Sequence, residues 1–347
     1  MRPAAPAVAY ADLIAELSGE AGYFDTDNLI SNEASYLHVL PALDTLVAPG
    51  GVYLGVGPDQ NFSYIAALRP SLAFIVDIRR DNVLQHLFFR ALFLRSSTRA
   101  EYVTWLFGLT PPDPAEARAL SGAGAEAVAA FVRAHPTTPA RGAAAVDSVL
   151  ATVRSLGVRL SERDEEFVRF VHRSFIDAGL DLRFTSHGRR ASPFYPSYGE
   201  LLVERDRSGA QRNYLASEEA FRVVDALQDR GAIVPVVGDL AGPRALPAIA
   251  AFLREHGLAV SAFYVSNVEF YLFPAGTFGA YGANVAGLPR NADAVLIRSV
   301  FRRPHPETVP GYASTQLLER LDDFVARFEA GTLTSYRALI DGARPPR

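Results

Sequence analysis

The sequence predicts an α/β fold: a doubly wound, mostly parallel sheet with a large, mainly helical insertion. Three observations predict it. Residues 52–56 (VYLGV) and 72–78 (LAFIVDI) are apolar runs separated by a helical pattern, and strands without polar alternation mark a parallel sheet covered on both faces. Apolar runs return at 232–238, 258–265 and 293–301, with a helical pattern between the first two. The chain has 347 residues, 49% of them hydrophobic, which is enough for a large core with an insertion.

Each element follows from its residues. Residues 10–18 read as a short amphipathic helix. A loop rich in Asp and Asn follows (GYFDTDNLISNE). Residues 34–47 read as a helix that Pro41 bends or restarts. Pro49-Gly50-Gly51 is a turn before the first strand. The turn 57–61 leads into a helix over 62–68, and 81–94 forms the helix after the second strand. Residues 96–230 depart from this rhythm, with Ala- and Arg-rich helical stretches, a linker at 135–142 and an aromatic, polar stretch at 179–215. Ser217 caps a helix over 217–228. Pro243 opens a helix that Gly257 closes, and a long helix is expected over 314–329. The expected organisation is a lid and first half-core at 1–95, an insertion covering the substrate at 96–230, and the second half-core with a C-terminal helix at 231–347.

Composition removes whole classes of chemistry. There is no cysteine, and all 34 basic residues are arginine. That excludes thiolate nucleophiles, iron–sulfur clusters, disulfides and lysine Schiff bases. It also excludes the lysine of a phosphate loop. A net charge of −4 argues against nucleic-acid binding. No apolar run reaches the ~18 residues of a membrane span. The opening residues lack the long Leu-rich segment of a secretory signal, so a cytoplasmic protein is expected. No histidine spacing supports a zinc helix.

The first strand ends in Gly55-Val-Gly57, and Asp77 ends the second, 20 residues after Gly57. Glycines at a strand's carboxyl end let a ligand approach the backbone, and an acid at the next strand end can accept from ribose hydroxyls. The dinucleotide pattern fails, because its third glycine position is Gln60. Arg79-Arg80 suits a rival 2′-phosphate, but with Asp77 present the ribose reading is preferred.

This stretch resembles motif I of class I S-adenosylmethionine-dependent methyltransferases, over 52–82 and more weakly over 232–240 and 259–269. YLGVGPDQNF and FYVSNVEFYL also look like a bacterial methyltransferase-like family. The acid of that motif falls at Tyr53 and its third glycine at Asp59. The resemblance implies a Rossmann-like fold and S-adenosyl-L-methionine as cofactor. It implies a cofactor site at Gly55, Gly57, Asp59, Asn61, Asp77, Ile78 and Arg79, with Asp239 and Leu240 at the adenine. It implies a substrate-facing motif at Tyr264, Asn267 and Glu269. Glu269 is a candidate general base, or Ser266 or Asn267 merely caps the following helix.

Two polar loops add candidates. Asn32 and Glu33 precede the core, where a lid lies in this fold. Arg183, Arg189, Tyr195 and Tyr198 flank His187, and arginine forks suit carboxylate or phosphate substrates. His187 is the candidate acid or base. The leading expectation is methyl transfer to a small molecule, without a metal, nucleic acid or membrane partner, and with a homodimer among the open oligomeric states. A lyase or cyclase using the same cofactor and a non-catalytic nucleoside-binding module are the alternatives.

Overall fold

A computed structural model describes residues 9–187, 192, 194–303 and 305–343. The strands are β1 (Val52–Gly55), β2 (Leu72–Asp77), β3 (Ile233–Val237), β4 (Val260–Ser266), β5 (Arg290–Phe301) and β6 (Ser314–Arg320). They form one sheet in the order β3-β2-β1-β4-β5-β6. All neighbours are parallel except β5 and β6. The fold is therefore α/β with a mostly parallel, mixed sheet. From β1 the chain builds outward through β2 and β3 on one side, then through β4 and β5 on the other. The winding direction thus reverses beside β1.

Every residue of β1 and β3 is buried, which is why neither alternates. Pro235 interrupts β3, and its missing N–H is tolerated because β3 is an edge strand. Helices α1 (Tyr10–Leu17) and α2 (Leu40–Leu46) precede the sheet; α3 (Gln60–Leu68) and α4 (Arg80–Leu94) follow β1 and β2. Between α4 and β3 come α5 (Arg99–Phe107), α6 (Pro114–Ser121), α7 (Ala125–Ala134), α8 (Pro139–Ser155), α9 (Glu162–Ala178), α10 (Tyr198–Val203) and α11 (Glu218–Asp229). The second half adds α12 (Ala245–Glu255), α13 (Val268–Leu272), α14 (Phe278–Ala286), α15 (Leu321–Glu329) and α16 (Tyr336–Gly342). One hydrophobic cluster runs from Leu13 to Leu339 and includes side chains of both the sheet and the intervening helices.

Three expectations change. Residues 314–320 are a strand and not the first turns of a helix. Leu317, Leu318, Leu321, Phe324 and Val325 do share a helical spacing, but the long strand β5 offers an open edge to pair with. Leu317 then packs with Val300 and Ile340, while Leu318 joins the main core. The helix expected over 34–47 is confined to Leu40–Leu46, with Pro41 in its first turn. The linker at 135–142 ends early: Thr138 caps α8 through the Arg141 N–H.

Candidate functional site

In an open parallel sheet, ligands bind beyond the strands' carboxyl ends, where the winding reverses. A cavity of about 390 Å³ lies there. Its walls come from Val56 and Gly57 after β1, Asp77, Ile78 and Arg79 after β2, Gly238, Asp239 and Leu240 after β3, and Ser266 and Asn267 at β4. The segment Tyr23–Glu33 supplies a further wall through Tyr23, Phe24, Thr26, Asn28, Ser31, Asn32 and Glu33, and Gln60, Phe184 and residues within 268–277 also line the cavity. Its volume falls in the usual range for small-molecule sites.

The β1–α3 turn is wired from behind. The fully buried Asn61 donates through Nδ2 to the carbonyls of Val56 (2.9 Å), Gly57 (3.3 Å) and Pro58 (2.7 Å), and accepts from the Tyr53 hydroxyl (2.8 Å). Asn82 Nδ2 donates to the Gly57 carbonyl at 2.9 Å, and His86 Nε2 lies 2.9 Å from it. A side chain at Gly55 would collide with Asn61 and Tyr53, and Gly57 has φ +83°. Only Gly57 of the two glycines reaches the cavity. Gly55 and Asn61 hold the turn, contrary to the cofactor contacts expected of them. Asp59 also faces away. It accepts from Tyr198 (3.0 Å) and Tyr214 (3.2 Å), and burial pushes its carboxyl up to about 6 against the lowering effect of those bonds. Tyr198 is thereby removed from the substrate wall as well.

Asp77 reaches the cavity with its carboxylate already held. Arg79 donates to its Oδ1 from the backbone N–H (2.9 Å) and Nε (3.1 Å), and to Oδ2 from Nη2 (2.9 Å). Arg79 Nη1 also donates to the carbonyls of Thr26 and Asp27, each at 3.0 Å. Arg79 therefore ties the 22–28 segment to the end of β2, which removes the 2′-phosphate reading. The Gly22 N–H to Ile78 carbonyl bond (2.7 Å) adds a second tie. Oδ2 of Asp77 keeps acceptor capacity toward a ligand. Asp239 and Leu240 follow the neighbouring strand β3 and also line the cavity. Asp239 Oδ1 accepts from the Ala241 N–H at 2.8 Å, and Asn284 fixes the turn through the Leu240 and Gly242 carbonyls.

Glu33 is 1% exposed and has only neutral donors. Its carboxylate accepts from Tyr264 (2.7 Å), Gln316 (2.8 Å), Ser266 and Ser299. Among the described residues no cationic side chain is paired with it. Ser266 adopts φ +51°, a left-handed conformation costly for a non-glycine residue, at a register shift between β4 and β5. Tyr264 lies beneath the wall and acts through Glu33; burial and that charge raise its hydroxyl. Asn267 does line the cavity and forms no side-chain cap on α13.

Glu269 is not an available base. It is 1% exposed and paired with Arg298 at 2.7 Å, which in turn holds Glu319 at 2.7 Å. Burial alone would lower Arg298, but the Glu269 and Glu319 charges hold it above its ordinary value. His187 is exposed and stacks on Tyr23 outside the cavity. Arg183 is engaged by the Tyr195 carbonyl and Glu200. Arg189 lies outside the described residues. Tyr195 and Asn32 line a second, outer chamber of about 580 Å³, which shares Tyr23, Phe24, Thr26, Phe184, Asn267 and Tyr271 with the inner one.

Sequence reasoning missed Gln60. It is 6% exposed and lines the cavity, and its Oε1 is buried with no hydrogen-bond partner. Its place in the failed glycine pattern was the available signal. Thr26, Asn28 and Phe184 were also missed as wall residues; each lies in a stretch whose polar or aromatic density was visible.

Among the described residues no cluster of His, Cys, Asp and Glu could hold a metal ion, and no helix is long and apolar enough to cross a membrane. No curated protein matches the chain. A family described as a domain of unknown function, DUF7790, matches residues 29–110 and 159–343, a span that includes Glu33, Gly57, Gln60, Asp77, Asp239 and Asn267 and omits α6, α7 and α8. That span is well over half of the sequence, and the chain belongs to the DUF7790 family.

Proposed function

We propose that this chain binds S-adenosyl-L-methionine in the inner cavity and transfers its methyl group to a small molecule. The observation that carries the reading is the convergence of four parallel strand ends on one cavity, with acidic residues at β2 and β3 and a buried carboxylate from the preceding segment. The residues present fit such a group. Val76, Ile78 and Leu240 offer an apolar wall for a base. The remaining oxygens of Asp77 and Asp239 can accept from ribose hydroxyls and an amino group. Gln60 Oε1 is an acceptor without a donor. The Glu33 carboxyl is paired with no cationic side chain among the described residues, which suits a positively charged ligand centre.

When bound, the sulfonium supplies the driving force for methyl transfer. The protein's part is to bind, to orient and to exclude water. Asn267, where the two chambers meet, is the remaining candidate for orienting an acceptor. Isothermal titration with S-adenosylmethionine, S-adenosylhomocysteine and NAD(P) tests the reading. Binding of the sulfur nucleosides is expected, and no binding of either overturns it.

One observation favours a second reading. Of the four expected catalytic residues, Glu269 and Tyr264 are sealed and His187 lies outside, so only Asn267 reaches the cavity. A nucleoside-binding module needs no acid or base. Mass spectrometry of acceptor mixtures separates the two: tight binding without any methylated product favours the module.

A further inference from the structure

The outer chamber has a chemical character of its own. Seven large apolar side chains are exposed among the described residues, and four of them, Tyr23, Phe24, Phe270 and Tyr271, line this one chamber. Exposed aromatic surface gathered in one concavity marks a binding site more than a solvated face. Its far wall is Arg302 and Arg303, at the end of β5. Neither arginine has an ion-pair partner among the described residues, whereas Arg79, Arg183 and Arg298 nearby are all paired with carboxylates. Each is instead set over a ring: Arg302 5.9 Å from Phe194 and Arg303 5.3 Å from Tyr336. A guanidinium set near a ring without a carboxylate partner keeps N–H donors for ligand oxygens. Arg302 also has φ +52°, fixed by its N–H to Ala313 carbonyl bond (3.1 Å). Asp25 also lines the chamber, and two adjacent guanidiniums suit one shared anionic group.

We propose that the outer chamber binds a flat, largely apolar small molecule bearing one carboxylate or phosphate. Its ring lies among the aromatic side chains and its anion against Arg302 and Arg303. The two chambers then have opposite polarity: inside, the Glu33 carboxyl, and outside, the Arg302 and Arg303 guanidiniums, each without an ion-pair partner among the described residues. That this ligand is the methyl acceptor rests on the reading above; its binding does not.

The test uses the whole chain and three probes: indole-3-acetate, its neutral amide and phenyl phosphate. Affinities are measured by NMR titration, with and without S-adenosylhomocysteine. The wild type is expected to prefer an anionic probe over the amide by about tenfold, the scale of a charge-assisted hydrogen bond. Whether the carboxylate or the phosphate wins identifies the anion. The double variant Arg302→Gln/Arg303→Gln is expected to lose that preference, to bind the amide as before and to melt at an unchanged temperature. Equal affinities for charged and neutral probes, a preference that survives in the double variant, or no binding at millimolar concentration overturns the proposal. An anion preference without S-adenosylhomocysteine binding leaves this site standing and removes the methyl-transfer reading. Nucleoside binding without the preference does the reverse.

Discussion

Glu33 and Asp59 are both buried carboxylates, and their surroundings set them opposite tasks. Glu33 faces the cavity and accepts from four neutral donors. In Glu33→Gln the charge disappears while an acceptor oxygen remains, and no cation is left unpaired. S-adenosylmethionine affinity in titration calorimetry should fall about 10- to 100-fold, the scale of charged hydrogen bonds. Unchanged affinity would remove Glu33 from the ligand contact. Asp59 instead accepts from two tyrosines, Tyr198 and Tyr214, and Tyr214 is bonded in turn to Tyr102. With its carboxyl pushed up to about 6, the fold disfavours the ionised form relative to the unfolded chain, so that charge costs stability at neutral pH. Asp59→Asn keeps an oxygen for the tyrosines and removes the charge. Urea denaturation at pH 7 should show a gain of up to about 3 kcal/mol, and a loss would mean that the charge itself is needed.

At the scale of elements, the β1–α3 turn and the 22–28 segment show what a sequence can and cannot disclose. The apolar runs of β1 to β4 and the acid closing β2 follow from local pattern alone. The faces of α3 do not, because Asp59, Gln60 and Asn61 are consecutive and polar. Packing sends Asp59 to the tyrosines, Asn61 to the turn carbonyls and Gln60 to the cavity. Likewise β6 could be told from a helix only by the open edge of β5, and Glu269 looked free because Arg298 and Glu319 are distant in sequence. Two predictions belong here. Gly55→Ala would press a methyl onto Asn61 and Tyr53, and chemical denaturation should show a loss of about 1–3 kcal/mol or more. Arg79→Ala unfastens residues 26 and 27 from β2. Hydrogen exchange over 22–32 should then quicken while β1 and β2 stay protected. Unchanged exchange would show that the Gly22 and Thr185 contacts suffice.

At the scale of the whole molecule, the buried titrating groups set how the fold responds to acid. His86 and His172 are held down at about 4 by burial, partly offset by bonds to the carbonyls of Gly57 and Trp105. Each must donate from Nε2 to its carbonyl, and each Nδ1 is buried without a partner. A second proton would therefore meet no acceptor. Because their folded pKa lies below the ordinary 6.5, the stability they contribute is present at neutral pH and is lost as pH falls toward 4. Asp59 works oppositely, since its raised pKa makes the fold take up a proton and gain stability as pH falls through 6. Asp225, raised to about 6 mainly by burial, adds to Asp59 weakly because it is partly exposed to solvent. The carboxylates held low by arginine or backbone donors, such as Asp164 and Glu165, matter only nearer pH 4. Between pH 7 and 5 the two histidines together outweigh Asp59, at about 2 kcal/mol lost for each against about 1 gained. Urea midpoints should fall across that interval, and more steeply in Asp59→Asn, which keeps the histidine term and loses the opposing one. Its advantage over the wild type should therefore shrink from pH 7 to pH 5. A midpoint that rises toward acid in the wild type would mean that the two imidazoles are not buried neutral, and a parallel fall in both proteins would mean that Asp59 does not titrate in this range.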